Sequence, residues 1–144
     1  MGNGKGRPRR LAEMSAPPDP PPERYHEPPP DECEEFLEPI RPAAGHLITV
    51  KRVFRTGQNV VVYFSVNQSF KVGRSYVDIG RIDSEHGEVH RHQFFEAGPQ
   101  ERTVLEVIPL IGGEERVDQW ADRAQKIMHN EWESNFRRWR GDGE

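Results

Sequence analysis

The hydrophobic and polar positions fall into two regimes, and the change comes near His46. Beyond it, LITVKRVFR (47–55), VVVYFSVNQSF (60–70), SYVDIGRID (75–83), EVHRHQFF (88–95) and RTVLEVIPL (102–110) are short, β-branched and partly alternating runs. That is the pattern of half-buried strands. TGQN (56–59), KVGR (71–74) and SEHG (84–87) read as tight turns, and EAGPQE (96–101) as a Gly-Pro loop. Connections this short predict a meander, and therefore a five-stranded, mainly antiparallel sheet. The third run breaks parity: Val77 and Ile79 share one face while Ile82 falls on the other. A bulge at Gly80 would reconcile them.

After Gly112-Gly113 the period lengthens to between three and four. Val117, Trp120, Ala121, Ala124, Ile127, Met128, Trp132, Phe136 and Trp139 make an apolar stripe of helical period. Glu114, Glu115 and Asp118 at its start, and Arg137, Arg138 and Arg140 at its end, complement a helix dipole. Gly141 suits the C-terminal stop. The spacing predicts one helix over about 114–140. A sheet with one apolar face needs one cover, so the fold class is α+β: a five-stranded antiparallel meander sealed by a long C-terminal helix.

Lengths add an expectation. A helix of ~25 residues runs ~37 Å, whereas strands of ~8 residues run ~26 Å. Trp132, Phe136 and Trp139 are therefore expected to overhang the sheet and to form a partner-binding surface, for a protein partner or a homodimer. The competing expectation is that sheet twist, or Phe36 and Leu37 folding back, covers them.

Ahead of His46 the composition is different. Eleven of the thirteen prolines fall in residues 1–42, and residues 16–42 read APPDPPPERYHEPPPDECEEFLEPIRP. Such acidic, apolar-poor, Pro-rich sequence cannot bury enough surface to offset chain entropy. Residues 1–42 are expected to be a disordered tail, basic at its tip through Lys5, Arg7, Arg9 and Arg10, with residues 43–144 as the single domain.

Charge and cysteine content exclude several classes. A formal net charge of -4 argues against coating nucleic acid by bulk charge. One cysteine, Cys33, excludes an internal disulfide framework and a CxxC metal site. No apolar run approaches the ~20 residues of a membrane span, and no early hydrophobic stretch resembles a secretory leader. A soluble, cytoplasmic chain without membrane contact is expected. The Gly-x-Gly-x-Gly at 2–6 follows no strand, so it is no nucleotide fingerprint, and no cofactor is expected.

Candidate chemistry concentrates in Asp83-Ser84-Glu85-His86-Gly87-Glu88-Val89-His90-Arg91-His92, where three of the six histidines lie within seven positions. On a strand, His90 and His92 leave the same face about 6–7 Å apart, and Arg91 points to the other. Glu88 joins the histidine face, with His86 and Asp83 close across the turn. Two strand imidazoles can hold a metal with a third ligand from Asp83, His86 or Glu88. That third spacing is not diagnostic, so no metal is assigned. Two imidazoles can also cleave RNA as acid and base, with Arg74, Arg81 or Arg102 steadying the phosphorane charge. The plainest reading is a polar rim on the wet face of the sheet.

The succession of a strand, Asp83, Gly87, His90-Arg91-His92, a further strand and a long terminal helix resembles the TumE-like toxins of bacterial toxin–antitoxin modules. The resemblance spans residues 46–138 in element order, although the stretch between Gly87 and His90 is short and lacks a second glycine. It implies an RNA-directed, growth-inhibiting toxin neutralised by a partner antitoxin. Two functions are thus carried forward. The first is a small interaction or regulatory protein that meets its partner through Trp132, Phe136 and Trp139. The alternative is a ribonuclease-type toxin. There His90 and His92 share acid and base roles, Arg91 orients strand or substrate, and Asp83 fixes a tautomer. RNA is a partner only under the second.

Overall fold

The computed structural model describes residues 23–142. Six strands form one sheet: β1 (Cys33–Ile40), β2 (His46–Arg55), β3 (Val61–Val72), β4 (Ser75–Asp83), β5 (Glu88–Gln93) and β6 (Glu101–Val107). Their spatial order is the chain order, and every neighbouring pair is antiparallel. The helix α1 (Gly113–Arg140) covers one face, chiefly against β3. The fold is therefore α+β, as the pattern predicts, with one strand more than the expected five.

The additional strand is β1, which lies inside the stretch expected to be a disordered tail. Its pairing with β2 runs in unbroken register from Cys33 opposite Arg55 to Ile40 opposite Ile48. Strand β1 is an edge with few buried side chains, so backbone hydrogen bonds hold it rather than an apolar face. Hydrophobicity alone does not register such a strand. Phe36 packs edge-on against Phe54 at 5.6 Å and does not reach the helix end. The correction extends further back, because Tyr25 is 4% exposed and belongs to the core. Its hydroxyl donates to the Val62 carbonyl at 2.6 Å, and its N–H to the Ile108 carbonyl at 3.0 Å. The rest of the expected tail, residues 1–22, lies outside the described residues.

The core between sheet and helix is built from Ile48, Val50, Phe64, Val66, Ile82 and Val89 on the strands and Val117, Trp120, Ala121, Ala124 and Met128 on the helix. The bulge in β4 falls beside Gly80: Gln68 pairs with Gly80 but Ser69 with Asp78, which leaves Ile79 as the additional residue. Ile79 and Ile82 are consequently both fully buried.

The expected overhang of α1 does not occur. Strand β3 has 12 residues, which at ~3.3 Å each span ~40 Å, and the 28-residue helix spans ~42 Å. The sheet is as long as its cover. Phe70, near the far end of β3, lies 4.6 Å from Phe136 and 6.2 Å from Trp139, while His46 lies 4.7 Å from Trp132 and 4.6 Å from Phe136. Trp139 is buried, and its carbonyl accepts a hydrogen bond from the Glu96 N–H. These aromatics close the protein's own core.

Candidate functional site

Strands β4 and β5 pair with Asp83 opposite His90 and Arg81 opposite His92. Side chains alternate across a sheet, so Asp83, His90 and His92 emerge together on the face away from α1. The turn between the strands is set by His86 and Gly87, both with positive φ (61° and 73°). At Gly87 no other residue fits, because a Cβ there would sit 2.5 Å from the Tyr25 carbonyl oxygen. The docked Tyr25 segment thus presses against the hairpin that carries the site.

Asp83 is the centre of the cluster. Its Oδ1 lies 3.4 Å from His90 Nδ1 and accepts the Glu85 N–H at 3.2 Å. Its Oδ2 lies 3.4 Å from His92 Nε2 and 3.3 Å from Arg81 Nε. Each imidazole has a second partner on its outer nitrogen. Glu88 Oε1 is 2.6 Å from His90 Nε2, and Gln100 Oε1 is 2.8 Å from His92 Nδ1. Arg24 reaches Glu88 Oε2 at 2.6 Å, and Arg102 reaches His90 Nε2 at 2.6 Å. His92 stacks on Phe94 at 6.0 Å, and Arg81 lies over that ring at 5.4 Å. The hydrogen bond with His90, helped by Arg24, holds the Glu88 carboxyl below its ordinary pKa, so Glu88 is a firm anion beside the ring.

The rings are not on a flat wet surface. Asp83 and His90 are buried, and the His92 side chain is only 11% exposed. Arg102 is half exposed at the rim. Among the cations considered, Arg81 and Arg102 are at the site, and Arg74 is in the β3–β4 turn.

Arg91 is on the opposite face. It donates to Glu131 Oε1 at 2.7 Å and Asn135 Oδ1 at 3.1 Å, both on the helix. It therefore does not meet the imidazoles, and any influence on them passes through the β5 backbone. His86 points out to solvent and is 83% exposed. Trp132, Phe136 and Trp139 are far along α1, in the core contacts described above. Sequence reasoning missed Arg24, Phe94 and Gln100. Arg24 lies in the Pro-rich stretch whose composition reads as a tail, and Gln100 lies in a loop eight residues from its partner, with no periodicity to place it.

A second feature lies one strand away. Val104, Leu105, Val107, Leu110 and Ile111 are all exposed, and β6 is the free edge of the sheet among the described residues. No helix among the described residues is long and apolar enough to cross a membrane. No protein-family model, curated protein or solved structure matches this chain.

Proposed function

We propose that the protein is an interaction module that takes a protein partner along the edge of β6 and the loop behind it. One observation carries this reading. Among the described residues, five of the nine exposed large hydrophobic ones lie between Val104 and Ile111, and Ile111 is 89% exposed. An edge strand offers unpaired N–H and C=O groups, and apolar side chains beside them supply the affinity. The opposite edge is guarded: β1 carries Glu34, Glu35, Glu38 and Pro39, the usual protection against unwanted pairing. Edge β6 carries Glu101, Arg102 and Glu106 and a register irregularity around Leu105, yet it has no proline within the strand and leaves Val104, Leu105 and Val107 exposed between its charges. The partner is a chain that lays an extended apolar segment beside β6, and a second copy would do so about a two-fold axis. Replacing Leu105 and Ile111 with arginine should abolish self-association in sedimentation, or capture of the partner by cross-linking. Unfolding should stay within ~0.5 kcal/mol of the parent, as for exposed positions generally. Unchanged sedimentation and cross-linking after that double change would refute the reading.

A second reading is favoured by Arg102, whose half-exposed guanidinium rests on His90. It is a ready receptor for a phosphate beside two imidazoles. Together with the resemblance to the TumE-like toxins, this supports RNA cleavage in which His90 and His92 move protons and Arg102 holds the scissile phosphate. Expression should then arrest growth, and the combined His90→Ala and His92→Ala change should release the arrest. Arrest that survives the double change would rule out these roles.

A further inference from the structure

We propose that Asp83, His90 and His92 bind one divalent transition-metal ion of zinc-like preference. The argument starts from where the protons must be. Glu88 Oε1 is 2.6 Å from His90 Nε2, and an anionic oxygen comes that close to a ring nitrogen only with a proton between them. Arg102 Nη2 is also 2.6 Å from that nitrogen and, as a donor, would require it bare. Glu88 is pinned by Arg24, whereas Arg102 is half exposed and has Glu88 Oε1 as another partner, so Glu88 keeps the contact and the hydrogen of His90 sits on Nε2. Gln100 Oε1, also an acceptor, lies 2.8 Å from His92 Nδ1, which puts the hydrogen of His92 on Nδ1. In the neutral rings, Nδ1 of His90 and Nε2 of His92 are then bare lone pairs. Each faces an oxygen of Asp83 at 3.4 Å. Three acceptors converge in a buried place. The Glu85 N–H and the Arg81 guanidinium meet the Asp83 oxygens, but among the described residues no donor faces the two bare ring nitrogens, which repel the carboxylate unless a cation sits between.

The spacing distinguishes a proton from a metal. A proton shared by imidazolium and carboxylate draws nitrogen and oxygen to about 2.7–2.9 Å, and neither gap has closed to that. Ligands bonded at about 2.0–2.1 Å around a tetrahedral ion stand about 3.4 Å apart. The two gaps end on different oxygens of Asp83, and the three ligand atoms all lie within 4.8 Å of one another, so the side chains must close in slightly for one ion to take all three. An outer ring N–H held by a carboxylate or an amide oxygen is the usual support behind a metal-bound histidine. Two imidazoles and one carboxylate suit zinc and its first-row neighbours, not magnesium or calcium.

Two arginines oppose the ion. Arg102 makes a donor–donor contact at His90 Nε2, which it can leave for Glu88 Oε1 at 3.5 Å. Arg81 Nε lies 3.3 Å from Asp83 Oδ2 without a well-formed hydrogen bond, so it competes for that oxygen. An ion on the inner nitrogens would withdraw them from proton transfer. This site and RNA cleavage by His90 and His92 therefore make exclusive demands on the same atoms, and the ligands of the site are all in place whether or not a partner docks on β6.

The test uses the full chain, stripped with a chelator. Zn2+ is titrated by calorimetry and Co2+ by visible absorption. The expected result is one equivalent of Zn2+, an intense tetrahedral cobalt band, and a raised thermal midpoint. Glu88→Gln should weaken Zn2+ binding about 10–100-fold by loosening the His90 support, and Arg81→Gln should tighten it. Asp83→Asn and His92→Gln, each checked for folding by circular dichroism, should lose the stoichiometric site. Absence of one-equivalent binding in the parent would overturn the proposal. So would binding retained in both variants, since it would then belong to His26, His86 or His129.

Discussion

Replacing Tyr25 with alanine should cost the fold about 3–5 kcal/mol, the range for deleting a buried aromatic ring. The side chain is 4% exposed, its hydroxyl donates to the Val62 carbonyl at 2.6 Å, and its ring lies against the start of α1. A Cβ on Gly113 would be 2.6 Å from Tyr25 Cδ1, so the ring fills its space completely on that side. Tyr25→Phe removes only the hydrogen bond and leaves the Val62 carbonyl buried without its partner, a loss of about 1–2 kcal/mol. For a folded unit of this size each kcal/mol shifts the thermal midpoint by about 3–5 °C. The alanine variant should therefore melt roughly 10–20 °C lower and the phenylalanine variant about 5 °C lower. Trp120, Trp132 and Trp139 all lie on α1, so urea unfolding followed by tryptophan fluorescence reads the loss directly. The close approach also predicts coupling: Gly113→Ala should be strongly destabilising alone and markedly less so beside Tyr25→Ala, which removes Cδ1 and Cγ and leaves only the Tyr25 Cβ at 3.0 Å. A Tyr25→Ala chain within 1 kcal/mol of the parent (about a fivefold change in the unfolding constant) or a strictly additive pair would refute the docking of this segment.

Three further outcomes follow from the same packing. His46 sits among Phe70, Trp132 and Phe136 with its Nδ1 unpartnered, and burial, helped by the Arg140 charge, lowers its pKa against the weaker pull of Glu133. The unfolded chain then binds the proton more readily, so stability is full above the unfolded value of ~6.5 and falls as pH drops below it. His46→Phe should flatten that limb in urea midpoints taken from pH 8 to 5 (about one and a half units to either side of that value), and an identical limb in both proteins would refute it. Gly87→Ala adds a Cβ 2.5 Å from a backbone oxygen at positive φ, and should cost about 2 kcal/mol or more in the same unfolding assay. Trp139→Ser should lower stability by about 3 kcal/mol and leave the sedimentation of the folded fraction unchanged. Altered association without lost stability would restore the helix end as a contact surface.

The elements bounded by strong period changes were legible. The five runs from β2 to β6 and the helix are each recovered to within a few residues, because alternation and helical spacing report burial on one face. The bulge beside Gly80 was legible for the same reason: two isoleucines of opposite parity both had to be buried. What escaped has other physical causes. Strand β1 is held by backbone pairing, and Tyr25 by a single ring in a Pro-rich stretch, so neither produces a periodic signal. Asn135 occupies a core position of α1, donating to Gln68 Oε1 at 3.1 Å while its own Oδ1 accepts from Arg91. A polar residue there breaks the apolar stripe, whose hydrophobic period continues through Trp132 and Phe136 instead. Of the site, alternation places His90, His92 and Glu88 on one face with Arg91 on the other, and by the same rule sets Phe94 beside His92, whereas Arg24 and Gln100 come from distant positions that it cannot reach.

The edge of β6 and the imidazole cluster are mechanically connected through Arg102. It lies on β6 opposite His92, and its guanidinium reaches back over His90 Nε2 and toward Glu88. A strand laid beside β6 would restrict the solvent into which this half-exposed side chain can swing. It would thereby hold Arg102 against Glu88 and His90. A guanidinium held on His90 Nε2 donates to that nitrogen and so opposes the Nε2–H tautomer that turns a bare Nδ1 toward Asp83. Docking at the edge therefore disfavours both the inward-facing lone pair that an ion needs and the release of Arg102 to a phosphate. The same partner that covers the apolar residues of β6 would, on this geometry, weaken metal binding at Asp83 and oppose access to the imidazoles.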